Sequence, residues 1–188
     1  PLINLWGFGK ERDLKIPSGD KIKEALSFVG SDKMELNEKN QTLFLKKDGM
    51  QLDLGGIAKG FSIDEAVKVL KKYNVTSGIV KGGGEMRLVG ERPDNKPWVI
   101  GIRSPIDRNA VIAKLYLKDV SVATSGGYEN FFLKDGRRYS HLIDPRTGIP
   151  LGDTPMSVTI LASNSTDCDA IATAACVLGK DEGMRFID

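Results

Sequence analysis

Residues 53 to 60 read Asp53-Leu-Gly-Gly-Ile-Ala-Lys-Gly60 and lead directly into a segment with helical spacing. The apolar residues that follow recur three and four positions apart: Ile63, Ala66, Val67 and Leu70. The glycines therefore lie at or near a helix N-terminus, where backbone N–H groups and the helix dipole favour anions. Lys59 offers a positive charge to a phosphate, and Asp53 offers a carboxylate to a cation or to a ligand hydroxyl or amide. The stretch predicts either an anion site or only a tight turn before a helix.

Length and charge narrow the class of protein. The chain has 188 residues, enough for one sizeable domain, so we expect a single domain over residues 1–188. Its 27 Lys and Arg nearly balance its 25 Asp and Glu, which leaves no broad electrostatic footprint for nucleic acid. No run approaches the roughly 20 apolar residues that span a bilayer. The chain opens on Pro1 rather than Met, so we expect an upstream segment to be missing, together with any targeting signal.

The order of predicted elements indicates an α+β fold. Helices are predicted over residues 20–28, 60–73 and 166–178, the last with Gly179 as its stop. Strands are predicted over residues 78–80, 85–89, 99–103, 112–117, 120–124, 128–133, 139–143 and 157–162. Consecutive strands with short turns favour antiparallel sheets packed with helices, and helices near both ends of the sequence argue against a doubly wound sheet.

The last predicted helix carries a candidate cation site. Asp169 and Thr173 are four residues apart and therefore share one helix face, so one hard cation could take an oxygen from each. The rest of this helix is small and apolar, and a carboxylate in such surroundings is costly unless it is paired or coordinating. Oxygen ligands favour Mg²⁺ or Ca²⁺. The alternative is that Asp167 and Asp169 merely favour the helix N-terminus.

His141 is the sole histidine and lies in the predicted strand over residues 139–143, which runs into a Pro and Gly turn. A histidine there is a candidate acid or base, or else a structural residue held by the backbone. In the same turn, Arg146 is expected either to pair with Asp144 or to meet a phosphate. Cys168 and Cys176 lie eight residues apart in one predicted helix, too far for a disulfide, and are expected to be buried packing residues.

Five motifs occur in order along nearly the whole chain. They are Asn4-Leu-Trp-Gly-Phe-Gly9, Asp53-Leu-Gly-Gly-Ile-Ala-Lys-Gly60, Ser121-Val-Ala-Thr-Ser-Gly126, Ser140-His-Leu-Ile-Asp-Pro-Arg-Thr-Gly148 and Asp169-Ala-Ile-Ala-Thr173. Together they resemble the ApbE family, the FAD:protein FMN transferases once called thiamine biosynthesis lipoproteins. The resemblance begins well inside the family pattern, whose N-terminal portion this chain lacks. It implies an ApbE-like, T-fold-related architecture.

The resemblance also implies roles for individual residues. Asp53 and Lys59 would contact FAD, and Ile143 would touch the flavin nucleotide. His141 matches the family histidine proposed to take the proton of the acceptor hydroxyl. The implied Mg²⁺ ligands, with Ca²⁺ as an alternative ion, are the main-chain carbonyl of Gly56, Asp169 and Thr173.

The implied reaction is Mg²⁺-dependent cleavage of FAD, release of AMP and attachment of FMN by a phosphoester to a Ser or Thr of a partner protein. That acceptor would belong to a membrane redox complex. Two alternatives stay open: an FAD pyrophosphatase that uses water on the same metal site, and a flavin-binding protein without turnover. The resemblance further implies an extracytoplasmic, membrane-anchored lipoprotein, and it allows a homodimer.

Overall fold

The computed structural model describes residues 1–9, 12–107, 109–152 and 157–187. Its helices are α1 (Leu2–Leu5), α2 (Gly19–Leu26), α3 (Ala58–Lys72), α4 (Ser165–Leu178) and α5 (Lys180–Ile187). Its strands are β1 (Met34–Asn37), β2 (Thr42–Leu45), β3 (Gly78–Gly82), β4 (Glu85–Val89), β5 (Trp98–Arg103), β6 (Val111–Leu117), β7 (Ser121–Ser125), β8 (Phe131–Lys134), β9 (Arg137–Ser140) and β10 (Val158–Ala162).

All strand pairs among the described residues are antiparallel, which confirms the predicted α+β class. The three predicted helices and eight predicted strands are present with shifted ends. The strand predicted over 139–143 was too long, because β9 ends at Ser140 and the chain then enters the turn that contains Asp144. No helix in the described part of the chain is both long and apolar enough to cross a bilayer.

Contacts divide the chain into two compact units. The first comprises Pro1–Asp53 and Asn130–Gly152, and the second comprises Leu54–Glu129 with the described part of Asp153–Asp188. The expectation of a single domain over residues 1–188 stays a prediction.

The first unit contains α1, α2 and the hairpins β1–β2 and β8–β9. Asp135 and Gly136 form the β8–β9 turn with φ of 51° and 72°, the left-handed pair that suits a two-residue hairpin. Tyr139 stacks between Trp6 and Phe132, with ring centroids at 5.6 and 5.1 Å. The Trp6 indole N–H donates to the Gly148 carbonyl at 2.9 Å and so ties α1 to the turn after β9.

The second unit is built on a four-stranded sheet of order β10-β7-β4-β3. Helix α4 packs on β7 and β10, while α3 packs on β3, β4 and α4. A separate two-stranded sheet pairs β5 with β6. This arrangement places the N-terminal ends of α3 and α4 side by side, which is where the predicted loop and the predicted cation ligands lie.

The two cysteines of α4 are buried in this unit and carry free thiols. Cys168 belongs to a core cluster with Ala123, Ile160 and Ala172. Burial raises the pKa of both thiols to about 11, so both are protonated near neutral pH. The expectation of buried packing residues without a disulfide is confirmed.

Candidate functional site

The glycine-rich stretch of residues 53–60 ends in the first turn of α3, and Lys59 is the second residue of that helix. The Lys59 ammonium donates a hydrogen bond to the Gly55 carbonyl at 3.1 Å. It also lies 3.4 Å from Glu85 Oε1 and 3.8 Å from Asp169 Oδ1. About half of the Lys59 side chain remains exposed to solvent, at 45%. The loop therefore presents a cation that is held on one side and open on the other, as an anionic ligand requires.

Gly60 brings α3 against the start of α4. Its backbone N–H donates to Asp169 Oδ2 at 3.0 Å, so a buried carboxylate from α4 satisfies a donor in the first turn of α3. A Cβ on Gly60 would lie 2.1 Å from the Ser165 carbonyl oxygen and 2.8 Å from Asp169 Cβ. The residue has no room for a side chain. Part of the predicted anion site is thus occupied by the protein's own carboxylate.

The predicted metal ligands lie together in this unit. A Cβ on Gly56 would lie 3.4 Å from the Thr173 hydroxyl, so the loop backbone reaches the face of α4 that carries Thr173 and Asp169. The described residues hold no group of three His, Cys, Asp or Glu side chains suited to a metal. The predicted ligands, which are the Gly56 carbonyl, the Thr173 hydroxyl and the Asp169 carboxylate, are all oxygen donors, a chemistry that would suit Mg²⁺ or Ca²⁺ and would not suit zinc.

Glu85 joins this cluster and was missed at the sequence level. It begins β4, directly after the glycine turn of residues 82–84, and is only 5% exposed. Burial raises its pKa above the ordinary 4.5, while Lys59 opposes that rise and Asp169 adds to it. A Cβ on Gly83 would lie 3.3 Å from Glu85 Oε2. The sequence signal that could have identified Glu85 is a single acidic residue between a glycine turn and an apolar strand.

Asp64 fixes the relative position of α3 and α4. Its carboxylate accepts the backbone N–H groups of Ser165 and Thr166, both at 2.8 Å, and the Thr166 hydroxyl at 2.6 Å. Burial raises the pKa of Asp64, but these hydrogen bonds outweigh burial and hold it below the ordinary 3.8. Asp64 therefore caps α4 from a neighbouring helix, alongside the local cap that Asn164 provides to the Asp167 N–H.

Substituting Asp64 with Asn should destabilise the protein by about 1–3 kcal/mol at pH 7, because an amide replaces an anion that accepts three hydrogen bonds. The lowered pKa means that this stabilisation is present above the unfolded-state pKa and is lost as pH falls through the folded-state value. The unfolding free energies of wild type and D64N, measured with urea, should therefore begin to approach each other below about pH 4 and meet only below the lowered folded-state pKa of Asp64. The neighbouring E65Q variant, which breaks an exposed pair with Lys68, should change the free energy of unfolding far less than D64N does. Equal costs for the two variants would contradict this role.

His141 lies in the first unit, just after β9, and is half-buried. Its Nδ1 is 3.0 Å from the Asn130 carbonyl oxygen, and its backbone N–H donates to the same oxygen at 2.9 Å. A carbonyl oxygen only accepts, so the proton of the neutral ring is on Nδ1 and the lone pair is on Nε2. This contact therefore fixes the orientation of the ring and the tautomer of its neutral form.

An ion pair holds the turn after His141. Arg146 pairs with Asp144, with its Nη2 2.9 Å from Asp144 Oδ2, so the pairing alternative is the one observed. Hydrogen bonds from Arg146 lower the pKa of Asp144. Ile143 forms an isolated antiparallel bridge with Pro150. Asp53 is exposed and lines a depression of about 790 Å³ in the first unit, a volume in the range of small-molecule sites.

The predicted site residues thus fall into two sets. The second unit brings together Gly56, Lys59, Asp169 and Thr173. The first unit contains Asp53, His141 and Ile143. The sequence-level prediction missed Glu85 and Asp64, whose partners lie far away along the chain.

Comparisons with known proteins agree on one family. The model of the ApbE family matches residues 1–188. The FAD:protein FMN transferase of Haemophilus influenzae is 38% identical over 193 residues, which cover 100% of this chain and 56% of that protein. The protein of the same name from Treponema pallidum is 39% identical over 199 residues, covering 98% and 55%. The chain spans about half the length of the curated relatives it matches.

Solved structures give the same result. The ApbE protein of Thermotoga maritima superposes with a TM-score of 0.89 at 41% identity, over 99% of this chain and 60% of that one. The flavin transferase ApbE of Vibrio cholerae superposes with a TM-score of 0.87 at 35% identity, over 98% and 59%. The expected ApbE-like architecture is confirmed.

Proposed function

Since this chain belongs to the ApbE family, we propose that it carries the site of a Mg²⁺-dependent FAD:protein FMN transferase. FAD is the substrate, AMP is released, and FMN is joined by a phosphoester to a Ser or Thr of an acceptor protein. The observation that carries the proposal is the cluster at the start of α3 and α4. There, an oxygen donor set suited to a hard cation adjoins a half-exposed lysine.

Each residue of the cluster has a role in this proposal. Gly56, Asp169 and Thr173 would hold the cation, which, when bound, neutralises charge on phosphate oxygens. Lys59 would bind the pyrophosphate of FAD through its exposed side. Asp64, which sets the register of α3 against α4, keeps Asp169 beside the loop. Asp169 is buried and accepts the Gly60 N–H, so its carboxylate is already positioned before substrate arrives.

The chemical step is a displacement at the phosphorus on the flavin side of FAD. The acceptor hydroxyl oxygen forms a bond to that phosphorus, and the bond from the same phosphorus to the bridging oxygen breaks. AMP leaves with the bridging oxygen. The hydroxyl proton passes to a general base, and the family resemblance assigns that role to His141.

The test is incubation with FAD and Mg²⁺, with and without a peptide that carries the acceptor Thr. AMP is measured by chromatography and the peptide by mass. Transfer predicts AMP and a peptide heavier by one FMN, less water. AMP without a labelled peptide would indicate an FAD pyrophosphatase, and FAD binding without AMP would indicate a flavin-binding protein without turnover.

His141→Ala should slow peptide labelling by about 100- to 10,000-fold, the usual contribution of a general base. FAD affinity, followed by flavin fluorescence, should change less than threefold, so kcat falls while binding persists. His141→Asn is the matched control, because its amide N–H can still donate to the Asn130 carbonyl but it supplies no base. H141N should therefore be as slow as H141A. An unchanged labelling rate in either variant would remove His141 from the mechanism.

The resemblance also supports two finer proposals. The acceptor is a subunit of a membrane redox complex, and the mature protein is a lipid-anchored protein outside the cytoplasm. Fractionation of cells that express the full gene product, followed by mass analysis of its N-terminus, tests the location. Flavin fluorescence of membrane subunits in cells with and without the gene tests the acceptor.

A further inference from the structure

The Lys59 ammonium has two anionic neighbours in the structure, and they differ in distance. Glu85 Oε1 lies 3.4 Å away and Asp169 Oδ1 lies 3.8 Å away. The carbonyl of Gly55 holds the same ammonium at 3.1 Å. Lys59 is thus drawn toward Glu85 and the loop, and it stays outside hydrogen-bonding distance of Asp169 Oδ1.

The burial of Glu85 favours its ion pair with the Lys59 ammonium. Its side chain is only 7% exposed, and its Oε2 is buried without a hydrogen-bond partner among the described residues. A buried carboxylate is costly unless a cation compensates it, so the pairing with Lys59 is strongly favoured. Gly83, with φ of 65°, leaves the space in which the carboxylate and the lysine stem meet. A Cβ at residue 83 would lie 3.3 Å from Glu85 Oε2 and in ordinary contact with the Lys59 stem at 3.7 Å.

We propose that Glu85 is a positioning residue that holds the Lys59 ammonium away from Asp169, and so keeps Asp169 Oδ1 open to a divalent cation. The proposal rests on the cation site of the proposed function. Without the Glu85 charge, Asp169 is the other carboxylate that the described residues place beside the ammonium, and Lys59 moves onto it. A cation must then displace a lysine before it binds. Glu85 therefore acts on cation affinity through Lys59.

A double-mutant cycle tests this on the full chain at pH 8. The dissociation constant of Mg²⁺ alone is measured by calorimetry for wild type, E85Q, K59M and E85Q/K59M. E85Q should weaken Mg²⁺ binding about tenfold when Lys59 is present, a coupling of ordinary size. In the K59M background, the same substitution should change Mg²⁺ affinity less than threefold.

Each other outcome overturns the proposal. Equal losses in both backgrounds would mean that Glu85 attracts the cation directly, and no loss in either would mean that it does not position Lys59. Absence of Mg²⁺ binding by the wild type would overturn the proposed cation site as well, so the two failures are distinguishable. Asp119→Asn is the matched control, since it breaks the pair between Asp119 and Arg87 on the same strand as Glu85. It should leave Mg²⁺ affinity within twofold of wild type.

Discussion

Asp169→Asn should lower Mg²⁺-dependent AMP release from FAD by about 100- to 1,000-fold. A metal supplies several kcal/mol of charge stabilisation, and each 1.4 kcal/mol is worth a factor of ten in rate. Asn retains an oxygen that can accept the Gly60 N–H, so the fold should survive while the negative charge is lost. Mg²⁺ affinity, measured by calorimetry, should fall in parallel with the rate.

Asp167→Asn is the matched control for this experiment. Asp167 lies on the same helix two residues earlier, is exposed and contacts the Asn164 side chain at the cap. Its substitution should leave both the rate and the Mg²⁺ affinity within about twofold, as expected for a surface change. Equal losses for D167N and D169N would show that the variants report helix-terminal charge rather than a cation ligand.

Gly60→Ala should destabilise the protein by at least about 3 kcal/mol and abolish turnover, because the new methyl group meets backbone that cannot move aside. The Cβ would lie 2.1 Å from the Ser165 carbonyl oxygen, so α3 and α4 would have to separate. Separation would also stretch the Gly60 hydrogen bond to Asp169 and the Asp64 cap of α4. Urea unfolding followed by circular dichroism measures the loss.

Gly19→Ala provides the comparison. Gly19 is the first residue of α2, and a Cβ there would meet no atom within 4 Å. Ala is the better helix former, so G19A should be neutral or slightly stabilising. A G60A protein as stable as G19A would show that α3 and α4 are not in close contact at this point.

Features that depend on local pattern were predictable from the sequence. The spacing of apolar residues predicted α3, and the capping signals and small apolar composition of residues 166–178 predicted α4. The sequence motifs included Asp169, Thr173 and the glycine loop, and the family resemblance assigned them to one cation site. Their proximity to one another required the fold, because α4 follows the loop by more than 100 residues.

The importance of other features depends on tertiary contacts, which the sequence does not show. Glu85 and Asp64 matter through partners that lie far away in sequence, and neither belongs to a motif. Helix α5 was not predicted, because Gly183 interrupts its pattern. That glycine instead permits close packing, since a Cβ there would lie 2.7 Å from the Ala175 carbonyl of α4. Strands β1 and β2 are short and largely exposed, so no alternation of buried residues marked them.

The two buried thiols of α4 can report how often the packing around this helix opens. Cys168 and Cys176 are fully buried at 0% exposure, and Cys168 is adjacent in sequence to Asp169. A thiol reagent can reach them only when the packing around α4 opens, because both thiols are buried and, while buried, have a raised pKa that keeps them protonated. The rate of labelling by a maleimide therefore measures how often this helix opens. The natural sequence provides that probe without an engineered label, and FAD or Mg²⁺ that binds the closed state should slow the labelling.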